Sequence, residues 1–493
     1  MCFGTPCRGK GGCAMWLAGD HHVHTQYSGD GKYRVIDQVR QARAHGLRWI
    51  VITDHGGATH AKLGVEKVNP DILQAREAHP DILVFQGLEW NVPAAEHATV
   101  FVHPGREEVA VLREFESRYD GGVTGSTAVT DAHKELALSG LGFLADALTD
   151  RRVEDALFLA NHPSRRGLDA PRDLRNWRDA QPHIAVGMEG APGHQAAGLP
   201  ATRGPGAYRG NYSRTPGPDS HPPYPPESYR TFGGFDWMTA TVGGLWDSLL
   251  AEGRPWWITV NSDAHDVFGD TSVRGPGSDF AGDGRHADPV YGGEPNRVIG
   301  DHWPGQYSRT HVGADALSYQ AVMDGLRAGR VWVDHGGLLS GLHARLRADD
   351  RTAGLGETLT VRRGDRVELV VDVASATAPN WTGTVPTLAR VDVVQGDVTG
   401  TPADPDAFCA PGTKVVRSFE VDTSARTVRL TYDLGRLDRP VYVRLRGTDG
   451  KRGAPGLRGA AVDPHGPAMD VRGGVDPWQD LWFYSNPMWV VPF

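Results

Sequence analysis

The chain has 493 residues, more than one hydrophobic core supports, so two domains, or one large domain with an accessory, are expected. Its 63 Gly and 34 Pro make up about a fifth of the sequence against a usual ~12%, but no Gly-X-Y period exists and the apolar content is globular, which excludes a collagen and a disordered chain. With 51 Lys+Arg against 60 Asp+Glu the net charge is −9, which disfavours a life on nucleic acid or anionic membranes, and no apolar run approaches the ~18 residues of a spanning helix.

Residues 1–15 read as a Gly/Cys-rich leader, expected to be disordered. Cys2, Cys7 and Cys13 cluster in it and Cys409 is remote, so neither a disulfide framework nor a zinc ribbon follows. No continuous apolar segment separates Arg8 and Lys10 from Trp16, so no secretory signal is recognisable, and a soluble, cytoplasmic protein is expected.

From Trp16 to about His335 short apolar runs alternate with helical stretches, the pattern of βα units and a mainly parallel sheet. The runs are Arg48–Thr53, Ile82–Phe85, Ala98–Val102, Ala156–Ala160, Ile184–Met188 and Trp256–Val260. Between the first strand and Arg48, Val35, Ile36, Val39, Ala42 and Ala44 recur at helical spacing and Gly46 closes the helix. Two stretches break the alternation. Residues 190–234 carry 18 Gly or Pro and residues 266–308 carry 13; loops of this length inside a compact domain are uncommon and often functional. Both follow predicted strands, so both are expected on one rim, as pocket walls or lids. After residue 340 the texture changes to turn-bounded strands at Leu346–Val361, Val367–Val373, Leu388–Val394, Val415–Val421, Val428–Tyr432 and Val441–Leu445, which reads as a β-sandwich accessory domain over 341–493. Its aromatics Trp381, Trp478, Trp482, Tyr484 and Trp489 suit either a core or a sugar-stacking patch. Asn211-Tyr-Ser213 and Asn380-Trp-Thr382 are glycosylation-like triplets.

Histidines and carboxylates gather at the predicted strand ends. His22 and His24, one residue apart, share a face of an extended segment, a spacing suited to two imidazoles on one cation. Asp30 follows in the turn Ser28-Gly-Asp-Gly31. The second strand runs into Asp54-His55, the next delivers Glu89, His97 opens another, and Asn161-His162-Pro163 and Asp263-Ala-His265 follow two more. Carboxyl ends of strands are where sites assemble in parallel sheets and barrels. Neutral imidazoles and carboxylates suit Zn, Mn or Fe. No Gly-x-Ser-x-Gly elbow and no cysteine candidate for a nucleophile is present.

In their order these motifs, Gly19-Asp-His-His-Val-His-Thr-Gln-Tyr-Ser28, Ile52-Thr-Asp-His55, Gly87-Leu-Glu-Trp90, Glu96-His-Ala98, Ala160-Asn-His-Pro163 and Asn261-Ser-Asp-Ala-His265, resemble the polymerase and histidinol phosphatase (PHP) superfamily of metal-dependent phosphoesterases. The resemblance covers about Trp16 to His335. It implies a distorted, TIM-like (β/α)7 barrel over 16–340 with two or three divalent transition-metal ions (Zn, Mn or Fe) at its strand ends. Carried over, His22, His24, Glu89 and Asp263 hold one ion, with Glu89 bridging; Asp30, His55 and His265 hold a second; Glu89, His97 and His162 hold a third. The family often has Ser-Asp-Gly where this chain has Ser-Gly-Asp-Gly, which displaces Asp30 by one residue, and His103 competes with His97.

The implied chemistry is hydrolysis of a phosphate ester, of a small organic phosphate, by hydroxide on a di- or trinuclear centre, with His55 catalytic and Asp54 orienting His55 or a water. Lys62, Asn91, Arg165, Arg166 and Arg309 are candidates to meet the substrate. The same centre also suits hydrolysis of a carbamate or carboxylic ester, or a nuclease made less favourable by the charge. A glycan- or partner-binding protein with a vestigial barrel fits poorly, because every candidate metal position holds a competent ligand.

Overall fold

The computed structural model describes residues 15–212, 215–422 and 424–493. Residues 1–14 of the expected leader 1–15, with three of the cysteines, and Ser213 of one glycosylation-like triplet lie outside the described residues, while Met15 opens the first strand. Among the described residues Cys409 is free and exposed, and no helix is long and apolar enough to cross a membrane.

The N-terminal part alternates strands and helices. Strand β1 (Met15–Val23) is followed by α1 (Val35–Ala44), β2 (Trp49–Ile52), α2 (Val65–Ala78), β3 (Leu83–Asn91) and β4 (His97–Val102). Then come α3 (Glu108–Tyr119), α4 (Asp131–Thr149), β5 (Ala156–Ala160), α5 (Pro171–Ala180), β6 (Ala185–Ala191), α6 (Leu245–Leu250) and β7 (Trp257–Val260). Helix α1 buries Val35, Val39 and Ala42 on one face, and Gly46, at φ 84, takes the left-handed conformation that ends it. Helix α4 is capped by Thr130, whose side chain accepts from the His133 N–H. Strands β2 and β5 are wholly buried, which explains why they read as unbroken apolar runs.

Strands β1, β2 and β3 pair in parallel, as do β5, β6 and β7. Strand β4 departs from the parallel expectation. It lies antiparallel to both β3 and β5, because only residues 92–96 separate it from β3, and a connection that short makes a hairpin whereas a parallel crossover needs a dozen residues or more. Strands β8 (Ser308–Ala314) and β9 (Val331–His335), with α7 (Tyr319–Arg327) between them, continue the sheet on the far side of β1, also antiparallel. The last strand, β7, is tied back to this side by side chains: Thr310 Oγ1 accepts from the Val260 N–H at 2.8 Å and donates to its carbonyl at 2.7 Å.

The C-terminal part is all β. Strands β10 (Leu339–Ala348), β11 (Arg351–Gly354), β13 (Arg366–Ser375) and β16 (Thr427–Arg436) form one four-stranded sheet. Strands β12 (Thr358–Val361), β14 (Arg390–Asp397), β15 (Lys414–Glu420), β17 (Val441–Thr448), β18 (Trp482–Ser485) and β19 (Met488–Pro492) form the facing layer. Leu342, Leu346, Leu369 and Val371 from one layer share a core with Val391, Val443, Leu445 and Phe483 from the other. The facing layer is continuous with the N-terminal strands, since β18 pairs with β9 through Trp332↔Ser485, Val333↔Tyr484 and Asp334↔Phe483. Trp478, Trp482, Tyr484 and Trp489 are buried, so they serve the core, while Trp381 is 49% exposed.

Candidate metal centre

His22 lies near the end of β1 and His24 just beyond it, and Asp20 fixes that end. One Asp20 oxygen accepts from the His22 N–H and the other from the Ser262 N–H, both at 3.0 Å, so the ends of β1 and β7 are held together. The turn after His24 is locked by Asp54, which accepts from the Thr25 N–H at 2.6 Å and from its hydroxyl at 2.8 and 3.0 Å. Asp54, expected to orient His55 or a water, is therefore spent on this turn; the His55 N–H donates to Ser28 Oγ at 2.8 Å. Gly31 makes the turn possible. A Cβ there would stand 1.9 Å from the Thr25 carbonyl, and the close approach brings Asp30 Oδ2 to 3.2 Å from His55 Nε2 and 3.5 Å from His265 Nε2.

Glu89 is the hub. Five imidazole nitrogens surround its carboxylate: His55 Nδ1 at 2.8 Å, His97 Nδ1 at 2.9 Å, His162 Nε2 at 3.1 Å, His22 Nε2 at 3.2 Å and His24 Nε2 at 3.4 Å. Asp263 Oδ1 approaches both His22 Nε2 and His24 Nε2 at 3.1 Å. His103, the competitor of His97, faces away: its Nδ1 donates to the Pro104 carbonyl at 2.9 Å. His162 and Asp263 both sit at positive φ, 31° and 47°, a strained backbone that clusters at functional sites.

Outer partners set which nitrogen faces inward. His22 Nδ1 meets Glu189 at 2.7 Å, His24 Nδ1 meets Ser28 Oγ at 2.8 Å, and His162 Nδ1 lies 3.2 Å from Glu96. Each leaves Nε2 for the centre, the arrangement by which carboxylates orient metal-binding imidazoles. Glu189 and Glu96 are completely buried, and their supporting roles are not legible in the sequence because the residue each supports is 167 or 66 positions away.

The electrostatics favour cations. Burial pushes the His22 imidazole down, but the carboxylates of Asp263, Glu89 and Glu189 outweigh it and hold the group well above its ordinary value. Burial pushes the Glu89 carboxyl up, and the surrounding His22, His97 and His55 overcome it and hold it well below the usual range. At His265 burial, reinforced by His24, outweighs the carboxylates of Asp263, Asp30 and Asp301, and the group is lowered to about 4.

This donor set fits divalent ions. His22 Nε2 and His24 Nε2 face each other at 3.0 Å, Asp263 Oδ1 and His265 Nε2 are buried without hydrogen-bond partners, and cations in the groups that follow would satisfy these atoms. The ligand atoms fall into overlapping groups: His22, His24, Glu89 and Asp263; His24, Asp30, His55 and His265; His55, Glu89 and His97; and His194, Asp263 and His265. The first three gather eight of the nine residues expected as ligands. His162, the ninth, joins through Glu89.

The cluster opens into a cavity of about 1050 Å³, and both Gly/Pro-rich loops wall it. The first supplies His194, Ala207 and Asn211, the second Ser272, Arg274, Asn296 and Asp301. Arg165 also lines the cavity and donates to Glu96 at 2.9 Å. Arg166 is half exposed and reaches the same carboxylate at 3.3 Å. Three candidates for substrate contact lie elsewhere. Lys62 is exposed, Asn91 donates to the Gly56 carbonyl and Asp120, and Arg309 is held by Asp334 at 2.7 Å; none lines this cavity. The cations that do line it besides Arg165 are Lys32 and Arg274. Arg274 donates to the carbonyls of Gly29 and Gly31, on either side of Asp30.

Residues 20–143 match the PHP domain family model. Among solved structures, the chain is similar to a two-domain protein from Bacteroides vulgatus, described as containing a predicted PHP-like metal-dependent phosphoesterase, at 15% identity and a TM-score of 0.34, with 92% of this chain and 94% of that chain covered. No curated protein matches. The matched segment 20–143 supplies His22, His24, Asp30, His55, Glu89 and His97 to the cluster.

Proposed function

We propose that the chain is a metal-dependent phosphoesterase that hydrolyses a small organic phosphate ester, built as a distorted (β/α)7 barrel over 16–340 with a β-sandwich accessory over 341–493. The observation that carries the reading is the Glu89 carboxylate with five imidazole nitrogens within 3.4 Å. A buried carboxylate needs at most one or two such partners for charge, whereas a carboxylate shared between metal ions gathers the ligands of each. His22, His24, Glu89 and Asp263 would hold one ion, Asp30, His55 and His265 a second, and Glu89, His97 and His162 a third. Zn, Mn and Fe all suit this mix of nitrogen and oxygen donors.

Bound there, such ions supply Lewis acidity and acidify a water enough to attack phosphorus near neutral pH. The protein's own groups do the rest. Glu189, Ser28 and Glu96 stand on the Nδ1 side of three imidazoles, which leaves Nε2 toward the centre. Arg165, fixed on one side by Glu96, faces the cavity where a phosphate oxygen would lie, and a guanidinium suits that oxyanion. The two loops wall the cavity and limit water around the substrate.

The test is a screen of the full chain, loaded with Mn or Zn, on an aryl phosphate, an aryl phosphodiester and an aryl carbamate. The aryl phosphate should be turned over fastest, and His55→Ala should lower kcat by more than the 10–100-fold typical of losing an outer partner. Preference for the carbamate would overturn the phosphoesterase assignment while leaving the metal centre standing. Activity that survived in His55→Ala would overturn the site.

A further inference from the structure

The metal motifs leave out one histidine that the fold delivers to the same centre. His194 lies three residues beyond β6, at the start of the first long loop, and lines the cavity. Its Nε2 is 2.8 Å from Asp263 Oδ2, while the other oxygen of Asp263 faces His22 and His24. Its Nδ1 is bonded to Asp301, a buried carboxylate of the second long loop. Asp301 is itself pinned, its Oδ2 accepting from the N–H groups of His265 at 2.7 Å and Asp266 at 3.0 Å.

Two features separate a ligand from a simple hydrogen-bonded prop. The first is a repeated arrangement: His22 with Glu189 and His162 with Glu96 each engage a buried carboxylate with the outer nitrogen and present the inner one to a carboxylate of the centre, and His194 with Asp301 does the same toward Asp263. The second is the backbone. His194 is held at φ 53, a left-handed conformation that costs a histidine free energy, and the preceding Gly193 has no room for a Cβ, which would stand 2.2 Å from the Asp263 Cβ. The loop is pressed against Asp263 at a cost, and the imidazole is what that placement delivers. His194, Asp263 and His265 have donor atoms within 4.8 Å of one another.

We propose that His194 is a metal ligand, holding a divalent transition-metal ion on the cavity side of Asp263, with Asp263 shared between this ion and the His22–His24 cluster and Asp301 acting as the positioning residue for the imidazole. The inference rests on the metal-centre reading above and extends it. It gives the two Gly/Pro-rich loops a joint task, since one brings the imidazole and the other the carboxylate behind it, and it puts a cation at the floor of the cavity where an anionic substrate enters.

The test uses the full chain as wild type, His194→Asn, Asp301→Asn and His55→Ala, each stripped with chelator, reloaded with Co(II) and desalted. Bound metal per chain is counted by mass spectrometry and the Co(II) d–d absorption recorded. Asparagine tolerates a left-handed backbone and retains an N–H for Asp301, so His194→Asn removes the imidazole with little demand on the fold. His194→Asn should retain one Co(II) fewer than wild type, or bind the weakest ion at least about tenfold less tightly, with a changed d–d spectrum. Asp301→Asn should weaken the same ion by about 10–100-fold. If His194→Asn keeps the wild-type count, affinity and spectrum while His55→Ala loses metal, His194 is only a prop and this inference is overturned, the metal-centre reading surviving. If wild type retains no metal, both are overturned.

Discussion

Glu189 shows what a single outer residue does for this centre. Completely buried, it takes the Nδ1 of His22 at 2.7 Å and also accepts from the His162 N–H at 2.6 Å, so it orients one imidazole and holds the backbone of another. Glu189→Ala should lower metal affinity about 10–100-fold, measured by competition with a chelating dye, while far-UV circular dichroism stays unchanged. At this scale the sequence was informative where ligands follow one another at fixed spacing. His22 with His24 and Asp263 with His265 could be read because a spacing of two places both at one strand end. Asp30, one residue off the family's pattern, still reaches His55 because the turn folds tightly over Gly31. His194 stands three residues beyond a strand end, the same signal in weaker form, inside a stretch whose Gly/Pro content reads as a loop. Glu96 stood in a motif only as the neighbour of His97, and Glu189 in none, since a supporting carboxylate is defined by what it touches. Lys62 and Arg309 were candidates by proximity along the chain, and packing sent them elsewhere; Arg309 meets Asp334 across two neighbouring strands.

At the scale of elements, the turn after β1 is the most demanding piece of backbone. Gly31→Ala should force the Ser28–Gly31 turn away from Thr25, because the added Cβ would stand 1.9 Å from a carbonyl oxygen. Asp30 would then move off His55 and His265. The expected result is loss of one metal ion per chain with the melting temperature falling by a few degrees, read by metal analysis and calorimetry. The hairpin of β3 and β4 has a similar role. By turning back after five residues it sets His97 at the start of β4 opposite Asn91, two residues from Glu89, where a parallel β4 would have carried His97 to the other end of the sheet. The apolar run was legible, but its direction was not, because an antiparallel and a parallel buried strand share one composition.

For the whole molecule, the N-terminal and C-terminal parts are joined by buried charge as well as by the β9–β18 ladder. Arg444 on β17 forms a two-pronged pair with Asp247 on α6, at 2.8 and 2.7 Å, with both side chains fully buried. Arg444→Ala would leave Asp247 buried and unpaired and should cost about 3–5 kcal/mol, measured by chemical denaturation. A second link is the aromatic cluster in which His302 and Tyr307 of the N-terminal part pack edge-on against Trp478 of the C-terminal part, with His335 against Tyr307. Burial lowers each histidine to about 3, so both stay neutral in the fold. At these two sites the unfolded chain therefore binds more protons than the folded one between pH 6.5 and about 3, and their contribution to stability falls as pH falls. At pH 5 the loss should be about 2 kcal/mol per histidine. His335→Phe removes one of these sites, so between pH 7.5 and pH 5 its melting temperature should change in favour of the variant relative to wild type, measured by calorimetry at both pH values.

The alternation of strand and helix, the change to β texture near residue 340, the two long loops and most residues of the carboxylate–imidazole cluster are legible in the sequence, because these depend on periodicity and on spacing within one element. Tertiary structure decided the rest: the antiparallel β4, the sheet continuous between the two parts, the carboxylates behind the imidazoles, and the meeting of His194 with Asp301 from two different loops. Those features arise where segments tens to hundreds of residues apart come into contact, and no local pattern encodes which distant partner a buried charge will find.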